Sequence, residues 1–173
     1  MTYIQHYDAP LGRILLAADE VGLTGLWFDG GRYYAETLPE EHVERETPIL
    51  MDTKRWLDVY FTGREPDFTP PLHPTGSPFR QTVWQLLLEI PYGQTTTYGE
   101  LAKRLECGRM SAQAVGGAVG HNPISILIPC HRVVGADGSL TGYAGGVEKK
   151  RFLLALEGVD LTNLYMPKRG TAL

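Results

Sequence analysis

Asp67-Phe68-Thr69-Pro70-Pro71-Leu72-His73-Pro74-Thr75-Gly76-Ser77-Pro78 is the stretch that divides this chain. Its four prolines and one glycine in twelve residues remove backbone donors and fix φ repeatedly, so neither a helix nor a central strand can run through it. It reads as a linker, with one domain over residues 1–76, linker included, and a second over residues 77–173. Charge changes at the same boundary. Residues 1–76 hold 6 Lys/Arg against 13 Asp/Glu, a balance of −7, whereas residues 77–173 hold 10 against 7, a balance of +3. The net charge of −4 argues weakly against a nucleic-acid partner, but the asymmetry directs any polyanion to the second half without requiring one.

On the N-terminal side of the linker, Arg13–Ala18 and Leu23–Phe28 are β-like runs flanking the turn-forming cluster Asp19-Glu20-Val21-Gly22, which predicts a hairpin. Thr47-Pro48 supplies an N-cap and a first-turn proline, and Leu50, Leu57, Tyr60 and Phe61 fall on one helical face. No catalytic constellation is visible in this half. On the C-terminal side, Ser77-Pro78 opens a helix carrying Phe79, Val83, Leu86, Leu87 and Ile90, stopped at Pro91-Tyr92-Gly93. Thr97-Tyr98-Gly99-Glu100 matches a capping box and opens a short helix through Leu105 that ends near Gly108. Another helix, capped by Ser111, runs to Gly120, and the pair forms a helix-turn-helix candidate. The fold class is therefore α+β, with an N-terminal α/β domain built on a small antiparallel sheet and a mainly helical C-terminal domain.

The helix from Ser111 is unusual in holding Ala112, Ala114 and Ala118 with Gly116, Gly117 and Gly120. Each internal glycine costs about 1 kcal/mol relative to alanine. Something has to approach this backbone closely, either another element of the protein or a DNA backbone or groove.

With 43% hydrophobic and 21% charged residues the chain has the balance of a globular protein with a real core. It has no apolar run long enough to span a bilayer, and Met1–Asp8 lacks the layout of a signal peptide, so the expectation is a cytoplasmic monomer with no membrane partner. In that compartment Cys107 and Cys130 are expected as reduced thiols.

After Asn122-Pro123, the apolar run Ile124–Ile128 reads as a buried extended segment delivering Pro129-Cys130-His131-Arg132-Val133-Val134. A cysteine reacts as its thiolate, and an unperturbed pKa of roughly 8.5 leaves only a few per cent ionised at neutral pH. His131 is the candidate base, and a carboxylate on its other ring nitrogen would fix the tautomer. On an extended chain adjacent side chains point to opposite faces, so the expected link between Cys130 and His131 is a bridging water. Metal binding is the competing account of a Cys-His pair. His6, His42, His73 and His121 stand singly and no CxxC or HxxxH spacing occurs, so no metal is expected.

Ile128-Pro129-Cys130-His131-Arg132-Val133, with Ala114–Ala118 and Asn122-Pro123 before it and Gly142–Gly146 and Leu153–Gly158 after it, resembles the methylated-DNA-protein-cysteine S-methyltransferases, the O6-alkylguanine-DNA alkyltransferases. The resemblance covers about residues 77–160, and the first half is compatible with the variable N-terminal domain of that family. It implies Cys130 as alkyl acceptor, His131 activating it through water and Glu157 orienting His131. It further implies Asn122 as a hinge tying the cysteine segment to the helix-turn-helix, and Tyr98 as the phenol near the flipped base that helps protonate the leaving guanine. Pro129, Tyr143, Ala144 and Gly145 would wall the alkyl pocket. Ala112, Gln113, Ala114, Gly116 and Gly117 would meet the minor groove of double-stranded DNA bearing O6-alkylguanine, with no cofactor. Where many members carry an arginine that fills the gap left by the flipped nucleotide, this chain has Gln113, which can hydrogen-bond an orphaned base but brings no charge. The family often has a lysine near the site at the position of Lys150, whereas the run Lys149-Lys150-Arg151 by itself reads as a solvated helix face. A damage sensor without chemistry, as in alkyltransferase-like proteins, is disfavoured because Cys130 is present, and a thiol hydrolase lacks an oxyanion-hole signature. The sequence leaves alkyl size and O4-alkylthymine open. Leu161–Gly170 has no usable periodicity and is expected to be loosely ordered.

Overall fold

The computed structural model describes residues 1–105 and 112–166. The chain forms two compact units, one made of Met1–Thr75 with Pro123–Ser125, the other of Gly76–Asn122 with the chain from Ile126 onward.

The first unit is built on strands β1 (Thr2–Ala9), β2 (Gly12–Ala18), β3 (Leu23–Phe28) and β4 (His42–Glu44), in the order β3-β2-β1-β4. The three long strands are antiparallel, and the short, exposed β4 joins β1 in parallel. Strand β2 is internal and buried from Ile14 to Ala18, which is why it reads as an unbroken apolar run instead of an alternation. The expected β2–β3 hairpin is present. Asp19 closes its turn, Oδ1 accepting from the Val21 and Gly22 N–H groups at 2.8 and 2.9 Å. Helix α1 (Pro48–Tyr60) packs against β1, β2 and β3, capped by Thr47 Oγ1, which accepts from Leu50 N at 3.3 Å. Leu15, Ala17 and Trp27 form a separate small cluster covered by Ile4, Ala35 and Leu38. Strand β1 was not anticipated, because most of its residues are only half-buried and its polar and apolar residues do not alternate. Pro71 and His73 pair with Leu23, so part of the proline-rich segment lies along β3.

The second unit contains α2 (Pro78–Leu88), β5 (Thr96–Thr97), α3 (Tyr98–Arg104), α4 (Ala112–Gly120), a 3-10 turn at Cys130–Arg132, β6 (Val133–Val134) and α5 (Val147–Leu156). Ser77 and Thr97 cap α2 and α3 as the sequence predicts, accepting from Arg80 N and Glu100 N. The expected Ser111 cap and the stop near Gly108 lie outside the described residues. Helix α4 packs against both α2 and α3, and the buried Trp84 Nε1 donates to Ala118 O at 2.8 Å. Strands β5 and β6 pair in parallel, Thr96 with Val133 and Thr97 with Val134. That register sets the Pro91–Gly93 turn beside the cysteine turn, since each precedes its strand by a few residues. The tail departs from expectation. As far as Met166 it is docked, with Leu161, Leu164 and Met166 on Val134, Leu140 and Leu154, and with Tyr165 hydrogen-bonded to Gly138 and Leu140. Apolar residues at irregular spacing carry no periodic signal yet still cover a core. Among the described residues no helix is long and apolar enough to cross a membrane.

Gly25 shows how tightly the first unit is fitted. A Cβ there would overlap the six-membered ring of the Trp27 indole. Gly25→Ala should therefore destabilise by about 1–3 kcal/mol, the usual cost of overpacking. Urea denaturation followed by tryptophan fluorescence measures it, and an unchanged midpoint would contradict the packing described.

Candidate active site

The nine residues from Asn122 to Cys130 are all buried, as the apolar run predicts, but they are not extended. Ile126 has φ +72°, a left-handed conformation that costs a β-branched residue on the order of 1–3 kcal/mol, and Cys130–Arg132 is a 3-10 turn. A short apolar run fits a buried turn as well as a strand, and periodicity cannot separate the two. Asn122 Nδ2 holds this turn by donating to Ile128 O at 2.8 Å. On a 3-10 turn successive side chains stand about 120° apart, so the alternation that set Cys130 and His131 on opposite faces does not apply.

His131 is fully buried, and its Nε2 lies 2.6 Å from Glu157 Oε2. Glu157 caps the C-terminus of α5. Its Oε1 accepts from Arg132 Nε at 2.8 Å and from Gly93 N at 3.0 Å. Arg132 Nη1 donates to Ile90 O at 2.7 Å, and the guanidinium lies 5.7 Å from the centre of the Tyr92 ring. The sequence reading placed Glu157 on His131 but missed Arg132 and Gly93. The available signal was a charged residue inside an otherwise apolar, buried stretch, a position arginine rarely takes unless paired.

Tyr98 Oη donates to Thr141 O at 2.9 Å, and Lys150 Nζ donates to the same carbonyl at 2.6 Å. Lys150 is 1% exposed, which overturns its reading as part of a solvated face. Arg151 does stay exposed, because consecutive residues on α5 point in different directions. Tyr143 is buried with its ring edge-on to His131, centroids 6.4 Å apart. Pro129 is buried just before the cysteine turn, and Ala144 and Gly145 are half-buried in the turn that Gly146 N closes on Tyr143 O at 3.0 Å. Gly142 has φ +74°, and a Cβ on it would stand 2.8 Å from Tyr98 Oη. Only glycine suits that place.

On α4, which Ala112 opens, Gln113 and Gly117 are exposed while Ala114 and Gly116 are half-buried. A Cβ on Gly116 would touch the Tyr98 ring at 3.9 Å, whereas among the described residues nothing lies within 4 Å of one on Gly117 or Gly120. A contact at 3.9 Å is an ordinary one, so close packing among the described residues requires none of the three glycines.

Burial at the site favours the uncharged forms of both the thiol and the imidazole. Burial pushes the Cys130 thiol above its ordinary value, opposed by the Asn122 amide and the Lys150 ammonium. Burial also holds His131 below its ordinary value, outweighing the attraction of Glu157, so the imidazole is neutral at neutral pH. For Glu157 burial acts upward, yet hydrogen bonds and charge from His131 and Arg132 bring its carboxyl down to about 2. Burial lowers Lys150 to about 8, with Cys130 acting the other way. Cys130 is a free, buried thiol, and the imidazole of the next residue has Nε2 committed to a carboxylate.

These features define a two-unit α+β protein in which a buried cysteine is followed by an imidazole paired with a carboxylate. Residues 2–74 match the 6-O-methylguanine DNA methyltransferase, ribonuclease-like domain, and residues 78–159 match the 6-O-methylguanine DNA methyltransferase, DNA binding domain. A methylated-DNA–protein-cysteine methyltransferase of Methanosarcina acetivorans is 47% identical over 156 residues, 90% of this chain and 98% of the relative. One of the same name from Haemophilus influenzae is 44% identical over 158 residues, 91% of this chain and 87% of the relative. A crystal structure of the Mycobacterium tuberculosis OGT in complex with DNA aligns with TM-score 0.79 and 40% identity, covering 90% of this chain and 92% of that one. The chain belongs to the 6-O-methylguanine DNA methyltransferase family.

The buried carboxylate also makes a pH prediction. A carboxyl at about 2 in the folded chain and 4.5 unfolded contributes stability that is complete above pH 4.5 and lost as pH falls toward 2. That difference corresponds to about 3 kcal/mol. His131, held below its unfolded value, adds a loss in the same direction. Glu157→Gln should therefore be less stable than the parent at pH 7, with the gap closing as pH approaches 2. Urea midpoints across pH 7 to 2.5 test this, and a pH-independent gap would contradict it.

Proposed function

We propose that this protein repairs DNA by direct reversal, transferring the alkyl group of an O6-alkylguanine to Cys130 Sγ once per protein molecule. The observation that carries the reading is the Glu157–His131 hydrogen bond beside a buried, free Cys130. Residues 77–173 would carry both DNA binding and alkyl acceptance, with residues 1–76 as a separate N-terminal domain and linker. A cytoplasmic location belongs to the same reading.

With Nε2 committed to Glu157, Nδ1 is the ring nitrogen left to take the thiol proton, through a bridging water in this reading. The thiolate attacks the alkyl carbon, the sulfur–carbon bond forms as the carbon–O6 bond breaks, and the bonding pair leaves on the guanine. Tyr98 Oη then gives up its hydrogen bond to Thr141 O and donates to the departing base. The phenol's ordinary value is raised, by burial first and by Cys130 as well, which keeps that proton in place until the guanine needs it. The product is a thioether that no ordinary hydrolysis reverses, so turnover stops at one.

The target atom lies inside the duplex, so the nucleotide must be turned out into the site. The small residues Ala112, Ala114, Gly116 and Gly117 suit an approach to the minor groove, and the open space at Gly117 and Gly120 supports it. In this reading α3 and α4 act as a helix-turn-helix, and the exposed Gln113 fills the gap the flipped nucleotide leaves.

Incubation with a duplex containing O6-methylguanine should leave one methyl group on the Cys130 peptide by mass spectrometry, in stoichiometric yield, and none in Cys130→Ser. An unmodified peptide with DNA bound would mean a sensor, and catalytic product release would mean a hydrolase. Gln113→Ala should slow single-turnover transfer on duplex DNA, and an unchanged rate would remove its gap-filling role.

A further inference from the structure

Cys130, His131, Glu157 and Tyr98 carry the proposed transfer, which leaves unexplained why a guanidinium is buried beside them. Arg132 is 8% exposed, next in sequence to His131, and bonded through Nε to Glu157 Oε1 and through Nη1 to Ile90 O. Its stake in the site follows from where Glu157 stands.

Glu157 is the C-cap of α5, where the helix dipole presents partial negative charge and unpaired carbonyls. A carboxylate there meets the unfavourable end of the dipole, and it is buried as well, at 6% exposure. Two penalties therefore press it to lose its charge. It can do so by taking a proton, or by drawing one onto His131 and pairing with an imidazolium. Either outcome spoils the base. A protonated carboxyl no longer fixes the tautomer, and an imidazolium has no lone pair to receive the thiol proton. A permanent cation on the other carboxylate oxygen removes both pressures, and arginine is the side chain that stays charged when buried.

Resting on the transfer reading above, we propose that Arg132 is a positioning residue that balances the charge of Glu157, so that His131 remains a neutral base with Nδ1 directed to the thiol. The geometry is specific to a guanidinium. One edge meets Oε1, a second nitrogen ties the same group to Ile90 O, and Gly93 N completes the shell of Oε1, which leaves Oε2 for His131. The other groups facing the imidazole are the Lys150 ammonium on α5 and the edge-on Tyr143 ring. The tyrosine is not cationic, and Lys150 bonds Thr141 O, so Arg132 is the cation joined to the carboxylate itself.

The test is the pH dependence of single-turnover methyl transfer to Cys130 from an O6-methylguanine duplex, reading rate constant and amplitude separately in the parent, Arg132→Gln and Arg132→Lys. In Arg132→Gln the unbalanced carboxylate should draw a proton onto the pair, so the acid limb of the profile should move to higher pH and the rate at pH 7 should fall about tenfold or more. Arg132→Lys keeps the charge and loses the fork, so it should react severalfold more slowly with the acid limb where the parent has it. If Arg132→Gln lowers only the amplitude, with rate constant and acid limb unchanged, the arginine serves folding alone and the proposal is overturned. Should the glutamine variant not fold, Arg132→Lys carries the test, and a parental rate in it overturns the proposal. The rate of Cys130 alkylation by iodoacetamide, which needs no DNA, should repeat the shift in acid limb. A parent protein that forms no S-methylcysteine while its iodoacetamide profile behaves as expected would sink the repair reading and leave the role of Arg132 in the base intact.

Discussion

A carboxylate buried at the wrong end of a helix is the constraint around which the second unit is built. Left alone, Glu157 would be protonated or would capture a proton for His131. It does neither because its two oxygens are met by three donors from two other segments of the chain: the imidazole and guanidinium of the cysteine turn, and the Gly93 N–H from the turn after α2. Removing any donor leaves a buried charge under-satisfied, which costs more than the bond itself contributes. Such a shell works only if three chain segments are held in register.

The backbone supplies that register with few parts. Two residues of parallel pairing between β5 and β6 fix the Pro91–Gly93 turn beside Cys130–Arg132, and the Asn122 amide ties the approach to the cysteine through Ile128 O. Thr141 O gathers Tyr98 and Lys150 onto one carbonyl, so the phenol, the ammonium and the loop at Gly142 are set together. Sulfur in this setting is less acidic than a free thiol. The site therefore favours a protonated Cys130 at rest, and in the proposed transfer His131 would have to ionise it. A protein that reacts once, as proposed, would gain from a nucleophile that does not react with small solutes beforehand.

Much of this was legible in the sequence because it rests on local chemistry. Thr47-Pro48, Ser77-Pro78 and the Thr97–Glu100 capping box fixed three helix starts, and Asp19–Gly22 fixed the hairpin, since each is decided by a side chain or turn within four residues. Cys130, His131 and Glu157 came from the motif and its resemblance, and the structure brings His131 and Glu157 within hydrogen-bonding distance. What could not be read depends on partners distant in sequence. Strand β1 owes its existence to pairing with β2 and β4, the inward turn of Lys150 to a carbonyl nine residues away, and the docking of the tail to Val134, Leu140 and Leu154. The segment before Cys130 shows the remaining failure, because four apolar residues in five announce burial and say nothing of the turn at Ile126 that burial takes.

Whether His131 can take the thiol proton turns on which of its ring nitrogens already carries one. Nitrogen-15 chemical shifts of the labelled imidazole in the unreacted protein at neutral pH report this without substrate. The geometry predicts a neutral ring protonated at Nε2, donating to Glu157, with Nδ1 bare. A ring protonated at Nδ1, or at both nitrogens, would contradict the account at its foundation.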